Sequence, residues 1–394
     1  MVPGEQLGDP PPKRNEAQSS IAKPWSVRVA TILSGEDWLV VGWVLSIKIL
    51  LLAFGAKSFR ILENEPLPGR CGWLEIWNHW DAIHYLQVAE FGYSAGSVMK
   101  TWFYPLFPWS IRLVAYVLGN YLLSAFVVSG CASVAAAILL RRIVQFDHAA
   151  SISRWAVWFF LIFPTAYYLH IGYSESLFLA LALGSILAAL LGRWWLAGVL
   201  GTLSWMTRAN GIILVPTLAI EAVHQWVVTR RWNWQWLWIA IVPAGFGVYL
   251  FVNWKVTGDP FAFLRMRKGL FAMESSWPWV GIHSAIGNLR RTPNQAEIVG
   301  AQELYFVALG FVCMIVSWIK LRPLHAVWIT GNWFLITSVS FIESVPRYAL
   351  TMYPVFILFA LLGRNRFWSA VITVWSLLFL ALFTSVFVRG WWVF

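Results

Sequence analysis

The chain is 394 residues long, 59% hydrophobic and 12% charged, with a mean hydropathy of +0.65. A soluble globular domain carries about 25% charged residues, so this composition excludes a soluble enzyme and predicts a surface that faces lipid. The net charge of +11, from 29 Lys+Arg against 18 Asp+Glu, fits basic cytoplasmic loops and anionic lipid headgroups. No basic helix or RNA-binding motif points to nucleic acid.

Residues 1–36 are polar, rich in Pro and Gly, and lack an apolar core. They read as a disordered cytoplasmic leader and not as a cleaved signal peptide. The remainder, 37–394, reads as a single transmembrane domain. Its apolar runs approach or exceed the ~18–20 residues that a helix needs to cross a membrane, and the short alternating segments of a barrel are absent. The first span is expected from about Trp38 to Ala56. A polar stretch, 57–102, forms a first outer loop. Two apolar runs follow over 104–140, and the piece from Phe103 to Leu118 suits an interfacial helix. The basic stretch "RRIVQFDHAASISR" is expected to be a cytoplasmic loop.

The run "WWLAGVLGTLSWMTRANGIILVPTLAIEAV" is interrupted by Thr207, Arg208 and Asn210, and both its flanks are basic. Two short helices or a re-entrant hairpin fit it better than one crossing. A further span from about Leu237 to Trp254 leads to a second large outer loop, 255–302. Three or four more spans bring the expected total to about ten or eleven. Cys71, Cys131 and Cys313 form no disulfide framework and no CxxC pattern.

This topology places three polar segments on one outer face: "WNHWDAIHYLQVAEFGY" around Asp81, "GYSES" with Tyr173 and Glu175, and "ESVPRY" with Arg347 and Tyr348. The loop 255–302 is also basic, against the positive-inside rule. An anionic substrate handled on that face would account for Arg265, Arg267 and Lys268, although each alone reads equally as a headgroup contact.

The first of these segments resembles the W-x-R-W-D-x-x-x-Y-x-x-I-A-x-x-G-Y pattern of the GPI mannosyltransferase 2 (PIG-V-like) family. That family belongs to the GT-C superfamily of membrane glycosyltransferases. Further pieces match in order: "FYPLFP", "FPTAYYLHIGYSESLFLAL", "TRANGI", "GDPFAF" and "PRYALTMYP". The resemblance runs from about Trp77 to Pro354. It implies a GT-C-type helical bundle with outer-face interfacial helices. It also implies a polyprenyl- or dolichyl-phosphate sugar as donor. His79 departs from the pattern, standing where the family usually has Arg. A fixed cation is thereby replaced by a group that is mostly neutral at physiological pH.

Asp81 stands at the family's essential aspartate. The chemistry asks for such a group, because a carboxylate can take the acceptor hydroxyl's proton as the new bond forms. The bland alternative is a helix cap or surface acid. His79 and His84 read as orienting partners or as satisfied interfacial histidines. Tyr173 and Glu175 are placed at the sugar or the acceptor. Arg208, with Asn210 beside it, sits inside an apolar run, where a charge is costly and usually functional or paired. Arg347, beside Tyr348, can offer a bidentate fork to the departing phosphate. The spacing of His79, Asp81 and His84 fits no strong zinc signature, so no metal and no cofactor is expected.

The expected reaction is hexose transfer, most simply of mannose, with inversion, since one essential carboxylate is evident. The acceptor would be a glycolipid, a glycan or a protein. The membrane would be the plasma membrane of a bacterium or the endoplasmic reticulum of a eukaryote, with the active site on the extracytoplasmic or lumenal side. A transporter or flippase of a lipid-linked sugar, or a non-catalytic subunit of a glycosylation complex, would share most of these features without needing a base at Asp81.

Overall fold

The computed structural model describes residues 34–69, 71–93, 98–271, 273–291 and 300–393. The leader expected over 1–36 therefore lies almost wholly outside the described residues, as does part of the 255–302 loop. Helix is how a chain this apolar satisfies its backbone in lipid. Among the described residues there is no strand, and one isolated bridge joins Ser275 to Val339.

Helix α1 (Gly35–Leu62) starts on a capping box in which Ser34 and Asp37 each bond the other's backbone. The short α2 (Gly72–Glu75) and α3 (Asp81–Phe91) follow. Helix α4 (Leu106–Leu118) has 13 residues, a rise of about 20 Å, which is short of a ~30 Å hydrocarbon core. Helix α5 (Tyr121–Asp147) runs 27 residues from an Asn120 cap. It is followed by α6 (Ala150–Ile162) and α7 (Glu175–Leu190), which flank a buried 3-10 turn at Ala166–Leu169.

Next come α8 (Trp194–Trp205), α9 (Leu214–Thr229), α10 (Ala244–Thr257), α11 (Ala262–Phe271) and α12 (Pro278–Asn288). The chain closes with α13 (Gln302–Lys320), α14 (Pro323–Thr337), α15 (Val345–Ala349), α16 (Pro354–Leu362) and α17 (Arg366–Phe387). The core is built mainly from α6, α7, α14 and α16, whose apolar side chains are buried on most sides. Among the described residues, six stretches are long and apolar enough to cross a membrane: 35–62, 121–147, 209–229, 234–257, 302–320 and 366–387. The protein is thus an all-helical, multi-pass membrane protein. The ten or eleven crossings expected from the sequence include shorter helices such as α4, α6 and α7.

Three local expectations meet a definite outcome. The basic stretch starting at Arg141 is not a loop up to Asp147, because α5 continues through it. The reason is Asp37. Its buried carboxylate accepts from Arg141 Nη2 at 2.5 Å and Arg142 Nη2 at 2.9 Å, so both cations are paired against α1. The span expected from Leu237 to Trp254 is broken at Pro243, with a 3-10 segment (Trp234–Ile241) before α10. The interrupted run over 195–228 is indeed two helices, α8 and α9, parted at Met206–Arg208 and a 3-10 turn. Gly211 is required there, since any Cβ would collide with the backbone of Trp205.

The two ends of the bundle differ in charge chemistry. At one end Arg322 forks onto Glu221 at 2.9 and 2.8 Å and reaches Asp147 at 3.4 Å, joining α5, α9 and α14. At the other end lie Asp81, Glu175, Arg208 and Arg347.

Candidate active site

Asp81 is the first residue of α3. Its helix is anchored from below by Trp77, which is fully buried against Tyr167 and Phe387. Trp80, immediately before Asp81, adopts φ 55° and ψ −122°. A bulky side chain at positive φ costs roughly 1–3 kcal/mol and persists where its surroundings enforce it. Here the Trp80 ring meets Trp392 edge-on at 4.9 Å. The C-terminal segment is itself tied down by an ion pair between Arg389 and Glu63.

Arg347 stands in α15, five residues long, whose start is held by Glu303. Both oxygens of this buried carboxylate are used, one accepting from the Ser344 N–H at 2.8 Å and the other from Val345 N–H at 2.7 Å. Ser344 is also at positive φ, 64°. So two of the helices that deliver a charged group to this site, α3 and α15, begin immediately after a residue at positive φ.

Four charges from four segments meet here. Arg347 Nη1 donates to Asp81 Oδ2 at 2.6 Å, and Arg347 Nε donates to Glu175 Oε1. Arg208 Nη1 donates to the same Glu175 oxygen at 2.7 Å and to Ser174 Oγ at 2.9 Å. The order is Asp81, Arg347, Glu175, Arg208, and the sum of the charges is zero. The side chains of Glu175, Arg347 and Arg208 are 0%, 6% and 9% exposed, whereas that of Asp81 is 32% exposed. Three members are therefore sealed in protein and the carboxylate at the end of the row faces outward.

Aromatic rings complete the enclosure. The Arg347 guanidinium lies 4.9 Å from the Tyr168 ring and 4.8 Å from the Tyr173 ring, and that of Arg208 lies 5.4 Å from Tyr348. Such cation–π contacts add to the ion pairs where water is excluded. Burial opposes the charge on Arg347, but Glu175 and Asp81 outweigh it and hold its pKa far above the usual range. Burial, reinforced by the Asp81 charge, raises the pKa of Tyr85. Its phenol hydrogen-bonds Ser174 at 2.9 Å.

Of the residues singled out from the sequence, Asp81, Tyr173, Glu175, Arg208, Arg347 and Tyr348 come together. His79 does not touch the charges through its ring, which packs edge-on against Phe387 at 6.0 Å. It contributes its backbone oxygen, which accepts from the Tyr173 hydroxyl at 2.8 Å. Burial, only partly opposed by the backbone at Val388 and Ile76, lowers the imidazole pKa. His84 stacks on Phe103 at 5.1 Å. Asn210 bonds Asn332 at 2.8 Å, and Asn332 in turn bonds Thr351 at 3.1 Å, so it braces α14 from behind. Arg265 pairs with Asp259 at 2.6 Å and Lys268 with Glu274 at 2.8 Å, both largely exposed.

Tyr85, Ser174, Tyr168 and Glu303 were not found from the sequence. A signal existed for Tyr85, four residues after Asp81 on the same helix face. Among the described residues no group of three or more His, Cys, Asp or Glu is arranged to hold a metal ion. A cleft of about 1030 Å³ opens at the opposite end, lined by residues such as Asp147, Trp155 and Arg366. It contains none of the four charges, and we place the site by its buried charge chemistry instead.

Residues 71–230 match the family model described as Mannosyltransferase (PIG-V). That segment carries His79, Asp81, Glu175 and Arg208, so the resemblance read from the motifs holds across it. No curated protein matches the chain. Among solved structures, the Archaeoglobus fulgidus oligosaccharyltransferase in its apo form is similar at 11% identity with a TM-score of 0.45. The match covers 89% of this chain and 56% of that one.

Proposed function

Since residues 71–230 match the family model described as Mannosyltransferase (PIG-V), we propose that this membrane protein transfers a hexose, mannose in the first instance, from a polyprenyl- or dolichyl-phosphate to an acceptor hydroxyl. The observation that carries the reading is the convergence of Asp81, Glu175, Arg208 and Arg347 from four separate segments into one row of charges. Removing one member of a buried pair typically costs about 3–5 kcal/mol, and the arrangement ends in a carboxylate open to solvent.

In the proposed step the acceptor oxygen attacks C1 of the sugar while its proton passes to Asp81. The bond between C1 and the phosphate oxygen breaks, and its electrons leave with the lipid phosphate. A single displacement inverts the anomeric centre. The rings of Tyr168 and Tyr173 and the row of charges exclude water from Arg347, where the departing anion would otherwise be screened. Arg347 also orients Asp81 toward the acceptor, because one guanidinium holds both carboxylates. The Lys and Arg residues at the far end, including Arg141, Arg142 and Arg322, support a cytoplasmic orientation for that end and an extracytoplasmic or lumenal one for the site.

The deciding experiment is incubation of purified protein with polyprenyl-phosphate sugars and candidate glycolipid, glycan and peptide acceptors, read by mass spectrometry. Glycosylated product with release of polyprenyl phosphate is expected. Binding without cleavage of any donor would replace the reading with a carrier of lipid-linked sugars.

A further inference from the structure

The cleft at the end of the bundle opposite the charged row takes no part in the proposed transfer, yet its lining has a chemistry of its own. It measures about 1030 Å³ and lies where the turn between α5 and α6 meets the turn between α16 and α17. Arg364 and Arg366 line it, and both are exposed. Among the described residues neither pairs with a carboxylate. Asp147, the acid of the lining, is already engaged: Arg322 Nη1 lies 3.4 Å and His325 Nε2 3.6 Å from its oxygens. Neighbouring cations at this end are matched, Arg141 and Arg142 by Asp37 and Arg154 by Glu36 at 3.3 Å. The cleft therefore keeps two positive charges that its own acid does not balance.

A groove of about 490 Å³ adjoins the cleft and shares Trp155 and Thr373 with it. Leu39 and Trp43 of α1 and Trp158 of α6 form its apolar walls, and Arg154 lies at its edge. The Trp158 ring meets Trp43 edge-on at 6.1 Å, and its Nε1 reaches Thr373 Oγ1 at 3.5 Å, so the indole's polar atom turns to the protein. Thr373 follows Arg366 along α17 by two helical turns, about 10 Å. Helices α1 and α17 are both long and apolar enough to cross a membrane. The groove thus leads from the basic cleft along membrane-crossing helices. A lipid with an anionic head fits this sequence of surfaces. A soluble anion would leave the groove empty, and a zwitterionic head would bring a cation for which the cleft offers only the engaged Asp147. Basic pockets between membrane helices on the cytoplasmic side take acidic headgroups, and the charges of this end support that orientation.

We propose that this cleft and groove form a binding site for one acidic phospholipid, its phosphate held by Arg364 and Arg366 and an acyl chain laid between α1, α6 and α17. The lipid is a resident ligand that braces these three helices. It is not a reactant, and its site is separate from that of the sugar donor.

Full-length protein in mild detergent, titrated with phosphatidylglycerol and with phosphatidylcholine and read by native mass spectrometry, tests this. Wild type should hold one phosphatidylglycerol per chain, at least ~10-fold more tightly than phosphatidylcholine. The double variant Arg364→Ala, Arg366→Ala should lose at least ~10-fold in that affinity, since each cation near an anionic headgroup contributes about fivefold. The double variant Arg231→Ala, Lys320→Ala removes the same charge outside the cleft lining and should stay within about twofold of wild type. Ala370→Trp fills the cleft without changing charge and should also lose the lipid. In phosphatidylcholine nanodiscs all variants should melt with wild type, and added phosphatidylglycerol should raise the melting temperature of wild type and the control but not of the cleft variants. Cleft variants that bind within twofold of wild type, or a control that loses as much as they do, overturn the proposal. So does equal binding of phosphatidylcholine, or a wild type that retains no lipid. Displacement of phosphatidylglycerol by inorganic phosphate would make this a site for a soluble anion, and displacement by polyprenyl phosphate would make it a donor site. Either result overturns the assignment.

Discussion

Asp81 is the member of the charged row that solvent reaches, and its neighbours make it sharply testable. Asp81→Asn keeps the shape and a hydrogen-bond acceptor for Arg347 but removes the basic carboxylate. Folding and donor binding should persist while turnover falls at least ~100-fold. Turnover within a few-fold of wild type would remove Asp81 from the role of base. Replacing either arginine by lysine keeps charge and loses the planar fork. Arg347 bridges both carboxylates, so Arg347→Lys should lower kcat more than it raises the donor KM. Arg208 touches only Glu175 and Ser174 among those polar groups, so Arg208→Lys should act mainly on KM. Equal effects from both would contradict this division. At His79 the structure changes the expectation. The ring is packed between Phe387 and Gly390 and held toward the neutral form by burial, so an arginine there has no room and no partner. Its folded pKa lies below the unfolded value of about 6.5, so the unfolded chain takes up more protons as pH falls. Stability from this group is full above that value and is lost below it. Melting temperatures between pH 7.5 and 5.5 should fall less steeply for His79→Gln than for wild type.

At the scale of elements, the charged groups sit at helix starts and breaks: Asp81 and Glu175 are the first residues of α3 and α7, Arg208 follows α8, and Arg347 lies in the five-residue α15. Helix α15 makes too few internal bonds to be stable alone, and Glu303 holds its first turn by two backbone N–H groups. Glu303→Ala removes the acceptor that both N–H groups share, at a cost of about 1–3 kcal/mol. Arg347 should then lose its register, so kcat/KM falls along with the melting temperature. Glu303→Gln keeps one acceptor oxygen and should recover part of both. Full activity in the alanine variant would show that α15 is positioned by packing alone. The break between α8 and α9 serves the same purpose, with Arg208 leaving the end of one helix and Gly211 letting the turn close on Trp205.

At the scale of the whole molecule, α3, α7, the α8–α9 turn and α15 are held together by charges that cancel. Glu175→Gln leaves two guanidiniums facing one carboxylate. The protein without lipid should be destabilised by about 3–5 kcal/mol. Added polyprenyl phosphate should raise its melting temperature more than that of wild type, because the anion replaces the missing charge. Turnover should fall, since the same anion is then harder to release. A variant whose melting temperature responds to the lipid no more than wild type would show that the phosphate does not reach this cluster.

The sequence by itself determined the class of the protein. A chain with 12% charge and runs near 20 residues can only be a helical membrane protein. The motifs, being local, marked Asp81, Glu175, Arg208 and Arg347 as the residues to watch. The interrupted run at Arg208 was legible as two short helices or a re-entrant hairpin, because Thr207, Arg208 and Asn210 break an apolar pattern visibly. Other features were not legible, because each depends on which distant segment a group meets. The continuation of α5 through Arg141 and Arg142 depends on Asp37, some hundred residues earlier. Along the chain Arg347 reads as a phosphate ligand and Arg208 as a charge that is functional or paired, and in space the two share Glu175. His79 sits beside Asp81 in sequence, yet its ring turns toward the C-terminal segment. Arg265, Arg267 and Lys268 look alike in a basic stretch, and the packing of α11 leaves two of them exposed and half-buries the third. Charge pairing is a matter of a few ångströms across the fold, and no local pattern encodes the partner.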